Sequence, residues 1–121
     1  MMNESTEFYG MRPWRIGSEI IDCEDTPLGY VDVHNFADFL GVDEKPGEIS
    51  LDFRLVEKGT HFRIRFAEVR ELAIRLVDLD FPENRELFYA FDSLGDCVFE
   101  FEAATLSGKV TAKKVFFEVV S

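Results

Sequence analysis

The sequence has few of the residues that usually carry catalysis and none of the short motifs that mark common enzymes. Two cysteines, Cys23 and Cys97, and two histidines, His34 and His61, occur in 121 residues. The cysteines form no C-x-x-C pair, which argues against a zinc site or a thioredoxin-type motif. No phosphate-binding loop, dinucleotide fingerprint, H-E-x-x-H or G-x-S-x-G motif is found. We therefore expect a protein that is not an enzyme, with no catalytic residues, no metal and no cofactor.

Basic residues are scarce as well, with 13 Lys and Arg against 24 Asp and Glu. The formal net charge is -11, and residues 1–53 alone hold 12 acidic and 3 basic residues, a net charge of -9. A surface of this sign repels phosphates, which argues against binding to nucleic acid or to an anionic membrane surface. No apolar run reaches the roughly 18 residues of a membrane span, and the polar start MMNESTEFYG is unlike a signal peptide. We expect a soluble, cytoplasmic protein with reduced thiols.

The acidic first half has two interpretations, docking of a cationic protein partner or plain solubility. Its acidic residues lack the spacing and the glycine of a calcium-binding loop, and Asp78 and Asp80 are interpreted as a solvated pair rather than as an acid/base pair. The candidate partner-binding residues are Asp22, Glu24, Asp25, Asp32, Asp38, Asp43 and Glu44.

The length fits a single domain over residues 1–121, with residues 1–10 as a mobile tail. Thirteen phenylalanines give a fold of short strands enough apolar area for a core. The centre is the segment Ile49–Phe66, where apolar and polar residues alternate with period two on both sides of a turn, which predicts an antiparallel hairpin. Its outward residues include Arg54, Arg63 and Arg65. These could bind an anionic ligand or face the acidic segment of the same chain, and we favour the internal pairing.

Other segments are assigned from their periodicity and turn residues. Apolar residues at helical spacing predict a two-turn helix over Val33–Leu40, ended by Gly41. The segments Asp22–Pro27 and Asp43–Gly47 have the composition of turns or loops. Ala67–Asp80 fits both periods, and we favour a strand with a bulge near Leu76 and Val77 over a helix.

The remainder of the chain alternates again. Strands are predicted around Leu87–Phe91, over Cys97–Ala103 and over Lys109–Val120, with turns at Asp92–Asp96 and Ser107–Gly108. Glu100 and Glu102 are expected to face Lys113 and Lys114 across the sheet, and Cys97 is expected in the core. Together these elements predict a mainly β fold, α+β at the margin, in which an antiparallel meander forms a sandwich or a partly open barrel with one short N-terminal helix.

The block Leu51–Ile74 contains F-R-L, then F-R-I-R-F, then F-A-E-V-R-E-L-A-I. In this hydrophobic pattern it resembles small β-rich immunity proteins of bacterial polymorphic-toxin systems. The resemblance implies a non-catalytic protein that binds a toxin and blocks its active site. An acidic first half would suit a basic nuclease toxin, because opposite charges steer association.

Two functions from different classes follow. The first is a non-catalytic acidic interaction module, in its narrower form an immunity-type inhibitor of a cationic toxin. The second is a small-ligand-binding β sandwich or barrel, in which phenylalanines line a cavity. The sequence leaves the oligomeric state open.

Overall fold

A computed structural model describes residues 6–13, 22–33, 37–76, 88–95, 97–103 and 106–120. These residues form strands and turns and contain no helix, which confirms the mainly β prediction. The strands are β1 (Glu7–Tyr9), β2 (Arg12–Pro13), β3 (Asp22–Thr26), β4 (Gly29–Asp32), β5 (Ala37–Lys45), β6 (Glu48–Leu55), β7 (His61–Leu76), β8 (Phe88–Gly95), β9 (Val98–Ala103) and β10 (Leu106–Val119).

The larger of two sheets has the strand order β5-β6-β7-β10-β9-β8, with β1 also paired to β10. Neighbours along this path are antiparallel, whereas β1 runs parallel to β10, beyond the residues of β10 that β9 covers. The sheet is therefore mixed, and over the described residues it does not close into a barrel. The predicted meander holds for β5-β6-β7 and for β8-β9-β10, but β10 rather than β8 lies beside β7.

The smaller sheet has the order β2-β3-β4 and packs on the same core as the larger one. Cys23 of β3 and Val31 of β4 are buried in one hydrophobic cluster with Phe39 and Phe53 of the larger sheet. The strand on either side of the β3–β4 turn thus contributes one apolar side chain to the core.

The predicted hairpin is present as β6 and β7, and its apolar face forms the centre of the core. Phe53 and Phe62 are fully buried and stacked with ring centroids 5.2 Å apart, and Phe62 stacks on Phe117 of β10 at 4.9 Å. Such stacking stabilises the fold by about 0.5–1.5 kcal/mol per pair, beyond the contribution of the apolar area that the rings bury. The phenylalanines of this cluster therefore fill the interior.

The helix predicted over Val33–Leu40 is wrong for the residues that the structure describes. Residues 37–40 belong to β5, in which Ala37 and Phe39 are buried, while 34–36 lie outside the described residues. Apolar residues this close together fit either period, and pairing with β6 supplies the backbone hydrogen bonds that favour the strand. Gly41, expected to end a helix, instead has φ 142° beside a bulge in the β5–β6 ladder.

The mobile tail predicted for residues 1–10 is also wrong at Glu7–Tyr9. These three residues form β1 and pair with β10. Phe8 anchors the strand, since its ring meets Phe99 edge-on with centroids 6.2 Å apart. Residues 1–5 lie outside the described residues.

Four segments predicted as turns are strand over much of their length. Asp22–Thr26 is β3, and the turn narrows to two residues, Pro27 and Leu28. The second polar segment contributes residues 43–45 to β5 and turns only at residues 46–47. Residues 92–95 belong to β8 and residues 107–108 to β10. Polar composition indicated the approximate position of each turn. The strands extend further into these segments than composition indicated, because their backbones pair with neighbouring strands.

The segment from Ala67 is a strand as far as Leu76, as predicted, since it continues β7. The bulge predicted near Leu76 and Val77 lies at the limit of the described residues, which stop at 76 before a gap, and another bulge is found within β7. The register between β7 and β10 shifts where Thr111 pairs with Glu71 and Ala112 pairs with Val69, which leaves Arg70 as the extra residue. Residues 77–87, which include Asp78 and Asp80, lie outside the described residues.

The predicted pairing of Glu100 and Glu102 with Lys113 and Lys114 is wrong in register. Glu100 lies opposite Lys109, with Nζ 4.0 Å from Oε1. The Lys114 ammonium lies 3.0 Å from a carboxylate oxygen of Glu68 on β7. β10 begins at Leu106, and its regular ladder with β9 places Ser107 opposite Glu102 and Lys109 opposite Glu100, a register that composition could not show.

Candidate functional site

Two of the three arginines on the outward side of the hairpin face a carboxylate directly across the sheet. Arg54 Nη2 lies 3.8 Å from Asp38 Oδ2, and Arg63 Nε lies 3.4 Å from Asp52 Oδ1. In both pairs the two residues are direct neighbours in the ladder. The internal pairing expected between the arginine face and the acidic first half is therefore confirmed for these residues.

Arg65, the third arginine, is held by two carboxylates. Its Nε and Nη2 donate to Oε1 and Oε2 of Glu118 at 3.0 and 3.1 Å, and Nη1 donates to Glu48 Oε1 at 2.7 Å. The guanidinium also lies 4.1 Å from the centroid of the Phe116 ring. The hydrogen bonds that Arg65 donates to Glu118 raise the pKa of Arg65, and the same bonds lower the pKa of Glu118. An anionic ligand would have to displace both carboxylates, so this face supports the fold.

The seven acidic residues predicted to bind a partner fall in two separate sheets. In the small sheet, β3 contains Asp22, Glu24 and Asp25 and β4 contains Asp32, whereas β5 of the large sheet contains Asp38, Asp43 and Glu44.

These residues differ in how far their charge is available to a partner. The Asp38 side chain is 14% exposed and faces Arg54. Asp25, Asp43 and Glu44 are exposed, and the Asp43 carboxylate lies 3.9 Å from the Lys45 ammonium. Asp25 has a positive φ of 54° beside the register shift of β3 on β4. Among the described side chains of this set, the exposed ones are thus Asp25 at the bulge of β3 and Asp43 and Glu44 at the end of β5, while the side chains of Asp22 and Glu24 lie outside the described residues.

A groove of about 690 Å³ lies between the turn that joins β3 to β4 and the turn that joins β6 to β7. One wall is formed by Leu28, Tyr30 and Val31, and the other by Val56, Glu57 and Lys58, with further residues at the ends. Tyr30 and Val56 are large hydrophobic side chains that remain 53% and 50% exposed. The groove therefore combines apolar surface with charged groups at its rim.

Hydrogen bonds hold both walls of this groove in place. The Thr26 hydroxyl accepts a bond from the Leu28 amide at 3.0 Å and donates to the Gly29 carbonyl at 2.5 Å. In the other wall, the Leu55 amide donates to the Thr60 carbonyl at 2.9 Å, which closes the turn. Both turns are defined by local bonds, so the groove is a built feature of the fold.

Sequence reasoning missed Tyr30 and Val56. The signal for Val56 was present, because it follows Leu55 directly and breaks the alternation of the strand. Tyr30 lies in a strand next to buried Val31, so period two alone places it on the outer side. That the two meet across one groove depends on the packing of the two sheets.

The cysteines and histidines are the side chains that the sequence offers for catalysis or metal binding. Cys23 and Cys97 are buried and form no disulfide bond, and His61 is half-buried at the start of β7. His34 lies outside the described residues. Within the described ranges, no three His, Cys, Asp or Glu side chains group in a way that could hold a metal ion.

In the same part of the chain no helix is long and apolar enough to cross a membrane. Comparison with protein-family models, with curated proteins and with solved structures finds no match in any of the three.

Proposed function

We propose that this protein is a non-catalytic interaction module that binds a cationic protein partner. The observation that carries the proposal is a largely apolar groove with exposed acidic residues next to it and in its wall. Asp25 lies in β3, two residues before the turn that forms one wall of the groove, and Glu57 lies in the opposite wall. Asp43 and Glu44 form a second exposed acidic site near the β5–β6 turn, away from the groove, since they pair with Ser50 and Ile49 of β6.

The two kinds of surface contribute differently to binding. Exposed carboxylates raise the rate of encounter with a basic protein and set which partners are accepted. A half-exposed tyrosine beside an aliphatic side chain is the type of residue that gives binding energy once it is desolvated. Tyr30 and Val56 would serve as the anchor, and the carboxylates as the steering charges.

The narrower form of the proposal is an immunity-type inhibitor of a cationic toxin. Its support is the resemblance of Leu51–Ile74 to immunity proteins, together with the net charge of -11. A toxin that binds nucleic acid has a basic active-site surface, and an acidic protein could cover that surface without doing chemistry.

The test is capture of partners by the immobilised full chain from a bacterial lysate, at salt rising from about 50 mM to about 300 mM. The variant Asp25→Asn/Asp43→Asn/Glu44→Gln removes the exposed charges of β3 and β5. The matched control Glu68→Gln/Glu100→Gln/Glu102→Gln removes the same number of exposed charges from β7 and β9. We expect the wild type and the control to retain a basic protein at low salt and the first variant to lose it.

The captured protein is then purified and titrated against Tyr30→Ala. We expect this substitution to weaken binding about tenfold or more, with little change in the salt dependence. Equal losses in both charge variants, or no basic protein recovered at low salt, would contradict the proposal.

Binding of a small ligand is the alternative function, and the groove is the observation that favours it. Its volume is within the range of small-molecule sites, although neither this groove nor the cleft at the β5–β6 turn is lined by a phenylalanine. Native mass spectrometry of freshly purified protein would show the ligand as added mass, which Val56→Trp should abolish by filling the groove. A protein that carries no added mass would count against this alternative.

A further inference from the structure

Among the described residues, the second half of β7 forms an open edge of the large sheet. β6 pairs with β7 only as far as Ala67, and beyond that point the Val69 amide donates to the Gly47 carbonyl at 3.1 Å. From Glu71 to Leu76 the strand pairs with β10 on one side and, among the described residues, with no strand on the other. A cleft of about 410 Å³, lined in part by Gly47 and Leu72, marks the place where β6 begins.

An open edge offers unpaired backbone groups that can pair with another strand. Natural sheets usually protect such an edge with a bulge, with charges or with a covering segment. Here the bulge lies before the edge, at Arg70, and the edge itself continues as a regular ladder on its β10 side. Its backbone is therefore in the geometry that an added strand needs.

The edge residues are complementary to themselves. They read Glu71-Leu72-Ala73-Ile74-Arg75. If a second copy is laid antiparallel about Ala73, Glu71 of each copy faces Arg75 of the other, and Leu72 faces Ile74. Opposite charges and aliphatic pairs at directly opposed positions are the cross-strand pairs that stabilise a sheet.

We propose that a second copy of this chain pairs with the Glu71–Arg75 edge, in an antiparallel arrangement centred on Ala73, to form a symmetric dimer with one continuous sheet. A two-fold axis through the Ala73 pair relates the copies, so the interface closes on itself. The faces also match, because Leu72 and Ile74 both pack on the core cluster of their own chain. Glu71, Ala73 and Arg75 are exposed on the opposite face.

The charges of this edge have no competing use within the described chain. Glu71 and Arg75 face Thr111 and Ser107 of β10, which are uncharged, and neither makes an ion pair with a described residue. This differs from the first half of β7, where Arg63 and Arg65 are both engaged by carboxylates of the same chain. The turn at Pro46–Gly47 limits the added ladder to about these five residues. The dimer is therefore weak and its population rises with concentration.

The test is sedimentation velocity of the full chain from about 10 µM to about 1 mM. We expect a monomer–dimer equilibrium in the wild type. Glu71→Arg and Arg75→Glu each place like charges opposite one another, twice per dimer, and should weaken dimerisation at least tenfold. The double variant Glu71→Arg/Arg75→Glu restores both opposite-charge pairs and should dimerise like the wild type. Glu102→Arg, with the same charge change at an exposed position of β9, should have no effect.

A second measurement locates the axis. Ala73→Cys places two thiols directly opposite each other, so mild oxidation should link the dimer, whereas Glu57→Cys in the β6–β7 turn should remain unlinked. The native cysteines are buried and provide the background. A wild type that stays monomeric at about 1 mM, a double variant no better than the singles, or equal linking of both cysteine variants would overturn the proposal. Circular dichroism of each variant checks that it is folded.

Discussion

The two halves of β7 have similar alternating sequences and different surroundings. In the first half, Phe62, Ile64 and Phe66 are fully buried, because β6 and β10 flank the strand on both sides. In the second half, Leu72 and Ile74 are half-buried, and β10 alone pairs with the strand among the described residues. Alternation therefore indicates which side chains face inward, while the number of flanking strands decides how deeply they are buried.

The charged residues of the two halves differ in the same way. In the first half Arg65 lies against Glu48 and Glu118, which come from the strands on either side. In the second half Arg75 has a strand on one side and faces Ser107 there. A strand inside the sheet has its charges satisfied by its neighbours, whereas an edge strand keeps them available for a partner.

The largest expected difference between the halves is in core packing. Phe62→Ala should lower the free energy of unfolding by about 3–5 kcal/mol, because it removes a ring stacked between two others and leaves a cavity. Ile74→Ala should cost less, about 1–2 kcal/mol, since this side chain is already part exposed. Urea unfolding followed by circular dichroism measures both, and equal losses would contradict the comparison.

The support that β10 gives to the second half can be tested at Gly108. This residue pairs with Ile74 on one side and with Phe101 on the other, and an added Cβ would overlap the Phe101 ring. Gly108→Ala should therefore destabilise by about 1–3 kcal/mol through overpacking. Ser107→Ala, the neighbouring change on the same strand, is the control and should stay within about 0.5 kcal/mol.

The ion pair of the first half should make stability depend on pH. Arg65 lowers the pKa of Glu118 below its ordinary value of 4.5. The carboxylate therefore stabilises the folded state fully at pH values above the pKa that Glu118 has in the unfolded chain. The benefit is lost as the pH falls through the lower pKa of the folded state. Glu118→Gln should cost about 0.5–1 kcal/mol at neutral pH, since the side chain is part exposed. The cost should vanish in acid, which urea unfolding at several pH values would detect. A cost independent of pH would point to packing instead.

The smallest expected effect is at Arg75. Arg75→Gln should change the free energy of unfolding by no more than about 0.5 kcal/mol, because the exposed guanidinium makes no ion pair with a described residue. The measurement is made at a protein concentration below that of dimerisation. A larger loss of unfolding free energy would show that Arg75 stabilises the folded monomer, which would contradict the difference proposed between Arg75 and Arg65.

The arginine face of the candidate site could be predicted from the sequence, because alternation within one hairpin is a local pattern. The arginine face and its pairing with acidic residues followed from alternation in the hairpin, since direct cross-strand neighbours share a face. The groove at Tyr30 and Val56 could not be predicted in this way. Its walls come from two turns that are separated along the chain and belong to different sheets, and no local pattern reports how two sheets pack.

The sequence by itself determined the β class, the Ile49–Phe66 hairpin with its inward side, and the excess of acidic residues in the first half. Each of these is a property of composition or of a short period, which local chemistry sets. Only the tertiary structure decided that residues 37–40 are strand, that β10 lies beside β7, and that Glu71–Arg75 form an edge. The physical reason is that backbone hydrogen bonds between distant segments override short-range preference, and a strand's neighbours are chosen by the whole chain.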